Sequence, residues 1–262
     1  MIIQVLGCHG SDCRIVDGTQ ARECSTCSFL INGRLLLDAG TIGNKLDVDE
    51  QKRITDVLLT HLHLDHIRAL ANLADNLVDG MQQPLSVAGL DAVHEGLRAH
   101  IFNNAVYPDF FRIPDPVEPV LRWRSLVLNQ PNHFSDITVT PVPVHHTVPA
   151  LGFVIEDDGG AVLFSGDTGP TEQLWEVGRS VRNLKAVFIE CSYPNAMRDL
   201  AERSRHLTPE LLAIEFAKLH RPEVPVYPYH LKPIFRDRIR TELSLADLPE
   251  WRVLEEGQVL KL

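Results

Sequence analysis

The chain has 262 residues, 44% hydrophobic and 23% charged, the mix of a folded globular protein and not of a disordered one. Thirty-five acidic against 25 basic side chains give a formal net charge of −10, which argues against a protein whose main task is gripping a nucleic-acid backbone. No apolar run approaches the ~18 residues of a membrane span, and Met1-Ile2-Ile3-Gln4-Val5-Leu6-Gly7 lacks the basic and long apolar regions of a secretory signal, so a cytoplasmic protein is expected.

The elements follow in chain order. Ile2–Leu6, Ser28–Ile31 and Arg34–Leu37 read as strands, the last two joined by an Asn32-Gly33 hairpin turn. Asp56–Thr60 is a largely apolar run, as a buried strand would be. Ile67–Val78 has apolar residues at helical spacing, Pro84–Ala88 reads as a strand and Leu90–Ile101 as a helix. Asn103–Asp115, with Pro108, Pro114 and several aromatics, reads as an ordered loop, and Phe102–Pro116, with Phe102, Tyr107, Phe110 and Phe111, either covers a ligand or packs as a core flap or dimer contact. Strands are expected at Leu121–Leu128, Ile137–Val144, Leu151–Ile155 and Ala161–Phe164, with Asp157-Asp158-Gly159-Gly160 turning between the last two. A helix begins at Thr171, a buried strand covers Ala186–Ile189, and Thr208-Pro209-Glu210 opens a helix to Leu219 through an N-cap followed by proline. Val224–Tyr227 reads as a strand and Ile234–Leu243 as a helix. No linker or repeat divides residues 1–262, and two batches of strands, each followed by helices, predict one domain of two packed sheets with helices outside.

Twelve histidines stand against four tyrosines and three tryptophans, and histidine is the commonest metal ligand. Three of them lie in Thr60-His61-Leu62-His63-Leu64-Asp65-His66, directly after the buried strand. Alternation puts His61 and His63 on one side of an extended segment, while Asp65 and His66 turn elsewhere as a helix begins, so one segment offers ligands to two adjacent metals. A catalytic site needs three ligands with an open position, and paired metals need a bridging carboxylate. His145-His146, Asp167 in Ser165-Gly166-Asp167-Thr168-Gly169, and His230 each follow a predicted strand, as ligands on one shared rim would. The five cysteines fit free thiols in a reducing compartment. Cys24-Ser25-Thr26-Cys27 is a CxxC, but the wider Cys8/Cys13 spacing makes a structural zinc site the weaker reading.

His61-x-His63-x-Asp65-His66, the later histidine, Gly166-Asp167-Thr168-Gly169 and His230 resemble the metallo-β-lactamase superfamily over nearly the whole chain. The resemblance implies an α/β fold, a four-layer αββα sandwich, with a dinuclear metal site. Asp38-Ala39-Gly40 is similar to the superfamily's early Asp-x-Gly, whose Asp orients the metal loop without binding metal. HLHLDHI, the stretch from His146 to Gly152-Phe153, and His206-Leu207-Thr208-Pro209 look like class II cyclic-nucleotide phosphodiesterases, relatives of tRNA 3′-processing endonucleases. Arg68-Ala69-Leu70 and Asn72 depart from the strict signature, which leaves the substrate less specified than the metal site.

Carried over, the pattern implies His61, His63 and His146 on one metal, Asp65, His66 and His230 on a second, and Asp167 between them. His146 has the family's spacing to Gly152-Phe153, and His145 does not. His206 resembles the histidine that binds the scissile phosphate and protonates the leaving group, and Asp65 would also take or orient the proton of the attacking water. Lys232 would add charge near the substrate, or be a simple exposed lysine. Zn is the default pair of ions for His/Asp ligands, with Mn or Fe as alternatives. The expected partner is a small anionic phosphodiester, a 3′,5′-cyclic nucleotide first, with no nucleic acid, no membrane and a possible homodimer. Competing readings are a tRNA 3′-end endonuclease, a thioester or lactam hydrolase, and a non-enzymatic nucleotide-binding module.

Overall fold

Ser28–Ile31 and Leu35–Leu37 are buried at every position, so the sheet they build needs cover on both faces. The computed structural model describes residues 1–17, 20–78 and 83–262. Its first half runs β1 (Ile2–Gly7), β2 (Cys13–Asp17), β3 (Gln20–Cys24), β4 (Ser28–Ile31), β5 (Leu35–Leu37), α1 (Val48–Gln51), β6 (Asp56–Leu58), α2 (Leu64–Ile67), α3 (Leu70–Leu77), β7 (Leu85–Gly89), α4 (Asp91–His100) and β8 (Leu121–Ser125). The second half runs β9 (Asn132–Phe134), β10 (Ile137–Val144), β11 (Ala150–Asp157), β12 (Gly160–Phe164), α5 (Gln173–Ser180), β13 (Leu184–Glu190), α6 (Arg198–Ser204), α7 (Pro209–Ala217), β14 (Val226–Tyr229), α8 (Arg236–Leu243) and β15 (Val259–Lys261).

Among the described residues the strands form one sheet in the order β15-β1-β4-β5-β6-β7-β8, a second in the order β14-β13-β12-β11-β10-β9, and the separate pair β2-β3. Side chains alternate between layers as the pleat requires. In β4, Phe29 and Ile31 point into the core between the sheets, and Leu30 points to the outer core. In β13, Ala186 and Phe188 face the partner sheet, whereas Val187 and Ile189 face the helices on the other side. Helical residues of α3 and α4 cover the first sheet, and those of α5, α7 and α8 cover the second. This is the expected αββα sandwich.

Strand direction explains where chemistry collects. β5, β6, β7 and β8 run parallel, so Asp38 and the segment from Thr60 to His66 leave the first sheet at one edge. β12, β13 and β14 run parallel in the second sheet, and β10 points the same way because β11 is antiparallel to both neighbours. His146, Asp167 and His230 therefore also follow strand C-termini, and Glu190 ends β13, at the edge of α/β sheets where ligands gather.

Two boundaries differ from the sequence reading in ways that shape that edge. The helix expected over Ile67–Val78 is two helices, α2 and α3. The break comes where the backbone turns to Ala39: Ala39 N–H donates to His66 O (2.7 Å) and Ala69 N–H to Ala39 O (2.8 Å). The last strand of the second sheet is Val226–Tyr229 instead of Val224–Tyr227, because its pairing with β13 runs on to Glu190 opposite Tyr229. His230 thus follows the strand at once. β2, β3, β9, β15, α1 and α6 were not expected.

Candidate metal centre

β6 delivers Thr60 and His61 to the rim, and Asp65 and His66 sit in the first turn of α2. The rings of His61, His63 and His146 lie 4.6–4.9 Å apart. Ligand atoms of His61, His63, His146 and Asp167 fall within 4.8 Å of one another, as do those of Asp65, His66 and His230. Asp167 stands between the groups: its Oδ2 is 3.8 Å from His61 Nε2, 3.3 Å from His66 Nε2 and 3.2 Å from His230 Nε2. The structure thus brings together the seven residues that the sequence nominated.

Hydrogen bonds fix which nitrogen each imidazole presents, the usual role of groups behind ligands. Asp38 Oδ2 accepts from His66 Nδ1 (2.7 Å). Thr60 Oγ1 donates to the same oxygen (2.9 Å) and accepts from His61 Nδ1 (2.9 Å). His146 Nδ1 donates to Arg205 O (3.1 Å), and His230 Nδ1 donates to Ser192 Oγ (2.9 Å). Those four rings therefore turn Nε2 inward. His63 presents Nδ1, 3.2 Å from His146 Nε2. Asp38, Arg205 and His230 hold left-handed backbone, with φ of 56°, 55° and 63°, a conformation that persists where surrounding contacts over-determine it. Gly10 packs so closely on His230 that a Cβ there would lie 2.7 Å from its ring.

Three observations fit this cluster to divalent cations. First, buried His61 Nε2 and Asp167 Oδ1 have no hydrogen-bond partner, and such orphans are rare in a protein interior. Second, ligands about 2.0–2.1 Å from a tetrahedral ion stand about 3.3 Å apart, and His66 Nε2 to His230 Nε2 is 3.3 Å, His230 Nε2 to Asp65 Oδ2 is 3.4 Å, and His146 Nε2 to His63 Nδ1 is 3.2 Å. Third, two imidazoles and the central carboxylate are held in the ligating form, whereas at His66 the Asp167 and Asp38 carboxylates outweigh burial and raise the pKa well above its ordinary value, so a cation would have to displace that proton. Burial holds His61 well below its ordinary pKa and brings His146 down to about 4, so both are neutral near pH 7. Burial disfavours charge on Asp167, but the adjacent His230 and His66 outweigh it and hold the carboxyl well below the usual range.

His206 lies beside this cluster. Its ring stacks 5.4 Å from that of His230, and it too has a ring nitrogen within 4.8 Å of a carboxylate oxygen of Asp167 and a ring nitrogen of His230. Its Nδ1 donates to Glu190 Oε1 at 2.6 Å. Burial lowers its pKa, but the Glu190 carboxylate outweighs burial and raises it. Ser192 Oγ donates to Glu190 Oε2 (3.0 Å) while receiving the His230 bond, so Glu190 and Ser192 orient both histidines. The sequence reading missed these two and Thr60. The available signal was an acid at the C-terminal end of a buried strand, as for Asp167.

The other nominated residues scatter. Lys232 is half-buried, and its Nζ donates to Gly10 O (2.6 Å), so it is neither free nor simply exposed. His145 is exposed, with its backbone bonded to Thr168 and Gly169. Cys13 faces Cys24 across β2-β3. The Cys27 thiol reaches His9 O, whereas that of Cys8 reaches Leu254 O. Among the described residues no cysteine joins a group able to hold metal. Phe102 and Phe110 are buried in the outer core of the first sheet, with Tyr107 and Phe111 against it, so the loop near 102–116 packs as a flap.

A model of the beta-lactamase superfamily domain matches residues 33–230. The chain is 27% identical over 194 residues, 63% of its length, to a fission-yeast protein named 3′,5′-cyclic-nucleotide phosphodiesterase, and spans about half (52%) of that relative. It is 31% identical over 102 residues to a Pseudomonas putida ribonuclease Z, covering 38% of this chain and 29% of the relative. Among solved structures, unliganded yeast PDE1 superposes with a TM-score of 0.80 at 19% identity, covering 100% of this chain and 99% of that one. The metallo-beta-lactamase fold protein YhfI of Bacillus subtilis gives 0.77 at 18%, covering 99% of each.

Proposed function

Because the chain belongs to the beta-lactamase superfamily, and its rim gathers seven His and Asp ligands in two groups, we propose that it is a metal-dependent phosphodiesterase acting on 3′,5′-cyclic nucleotides. The observation that carries the reading is the Glu190–His206 pair (2.6 Å) set against the ligand cluster. Breaking a phosphodiester expels an alkoxide, which needs a proton, and a histidine raised by a carboxylate holds one near pH 7. The likeness to a relative named as such an enzyme supports the cyclic substrate.

In this reading His61, His63 and His146 hold one ion, Asp65, His66 and His230 hold the other, and Asp167 spans both. Zn is the default, with Mn and Fe compatible with mixed nitrogen and oxygen donors. When bound, the pair supplies a lowered pKa for water and positive charge for the phosphate oxygens. The chain's own residues do the rest. Asp65, the more accessible carboxylate, accepts or orients the water's proton at Oδ2. His206 delivers its proton to the leaving ribose oxygen, and Glu190 holds the ring in place and stabilises its charge. Lys232, close enough for its charge to act on His206, favours an anionic substrate.

Incubating metal-loaded protein with adenosine and guanosine 3′,5′-cyclic phosphates should release nucleoside monophosphates. Full metal occupancy with no turnover of either would refute the reading. The ribonuclease Z likeness motivates a second reading, cleavage of tRNA precursors. The −10 charge weighs against it, and a pre-tRNA cleavage assay run in parallel separates the two.

A further inference from the structure

Two segments that carry site residues continue into the walls of one cavity. Glu190 and Ser192, which orient His206 and His230, lead directly to Tyr193. His230 leads to Lys232, Ile234 and Phe235. With Gly10 and Ser11 these residues line a cavity of about 290 Å³. The Tyr193 ring lies 5.8 Å from that of His206 and 6.4 Å from that of Phe235, tilted 47° to the latter. Ile234 is 78% exposed, a large apolar side chain of the cavity wall that folding leaves in solvent. The polar side chains of its lining are few: the Tyr193 and Ser11 hydroxyls, the Cys13 thiol and the Lys232 ammonium, which already holds Gly10 O.

We infer that this cavity is a nucleobase subsite, in which the base of the substrate packs on Tyr193 under Phe235 and Ile234. The inference rests on the phosphodiesterase reading and names the part of the substrate that reading leaves open. A leaving oxygen beside His206 puts the remainder of the substrate next to Tyr193. Two aromatic rings and an aliphatic side chain with a few hydroxyl and thiol groups among them match a planar, apolar-faced ring with hydrogen-bonding edges. They do not match a second phosphate, for which the cavity offers one already engaged ammonium. The volume lies at the lower limit of small-ligand pockets, about 300 Å³, room for one ring system and not for successive nucleotides of a strand. A base stacked on an aromatic side chain is sequence-tolerant, because every base has a π-face.

The test compares binding of adenosine 5′-monophosphate and ribose 5-phosphate to the metal-loaded full chain by titration calorimetry. The nucleotide should bind at least about tenfold tighter, the usual strength of one base on one aromatic ring. Tyr193→Ala should remove most of that preference, and Tyr193→Phe should keep it. Ile234→Ala, at an exposed position that folding does not depend on, should reduce it. Equal affinity of the wild type for both compounds would overturn the subsite, as would a preference retained in both alanine variants. A preference for the base without any phosphodiester turnover would leave the subsite standing and remove the reaction; turnover without the preference would do the reverse.

Discussion

At the scale of the residue, the site depends on groups that fix where protons sit. His206 is raised because Glu190 overcomes the effect of burial, so removing that charge must lower it. Glu190→Gln should cut kcat by about 10²-fold or more and move the alkaline limb of the pH–kcat profile to lower pH, since the acid loses its proton earlier. An unchanged alkaline limb would show that Glu190 does not act through His206. Gly10→Ala drives a Cβ into the His230 ring, while His230 is held at φ 63° by its surroundings. Metal analysis of that variant should find fewer than two ions per chain; full occupancy would contradict the packing argument. The ligands were legible because histidines in HxHxDH and after strands are rare by chance. Glu190, Ser192 and Thr60 were not, since acids and hydroxyls at strand ends serve many purposes and only distances reveal these.

At the scale of the element, unbroken apolar strands sit between layers and deliver polar residues where they end. Phe188 of β13 stacks on Phe164 (4.2 Å, 10°) and Tyr227 (5.1 Å, 18°) in the core between the sheets, two residues before Glu190. Phe188→Ala should cost about 3–5 kcal/mol, read by urea unfolding of the metal-free protein. A loss below about 1 kcal/mol, well under the usual range for such truncations, would mean that the sheets do not pack through this stack. Runs such as Asp56–Thr60 and Ala186–Ile189 were readable because their apolar length matches a buried strand. The β2-β3 pair was not: Arg14, Arg22 and Glu23 break its pattern, and among the described residues it pairs only with itself. The split between α2 and α3 was hidden for another reason. Apolar periodicity continues through it, and the cause is a tertiary pair of hydrogen bonds to Ala39.

At the scale of the whole molecule, distant parts of the chain close on the rim. β1 pairs with β15, and Glu256, just before β15, binds Lys45 (2.6 Å), His9 (3.2 Å) and the Ser25 hydroxyl (3.0 Å). Burial would raise its carboxyl, but His9, Lys45 and the Ser25 N–H outweigh it and hold the pKa at about 2, against an ordinary 4.5. A depressed folded-state pKa contributes stability above the unfolded value and loses it as pH falls through the folded one. Glu256→Gln should therefore destabilise by about 1–2 kcal/mol at neutral pH, and the gap from wild type should close between pH 4.5 and 2. A gap that persists at the acid end would place the effect elsewhere. No helix among the described residues is long and apolar enough to cross a membrane, and the −10 net charge coexists with a site where bound dications would make the pocket locally positive. The proposed activity requires two ions joined by Asp167. Titrating metal-free protein with Zn or Mn, while following cyclic-nucleotide hydrolysis in the same samples, tests it most directly. Activity should climb until two ions are bound per chain, and Asp167→Asn should bind fewer and lose nearly all turnover; full activity at one ion or none, or an active Asp167→Asn, would contradict it.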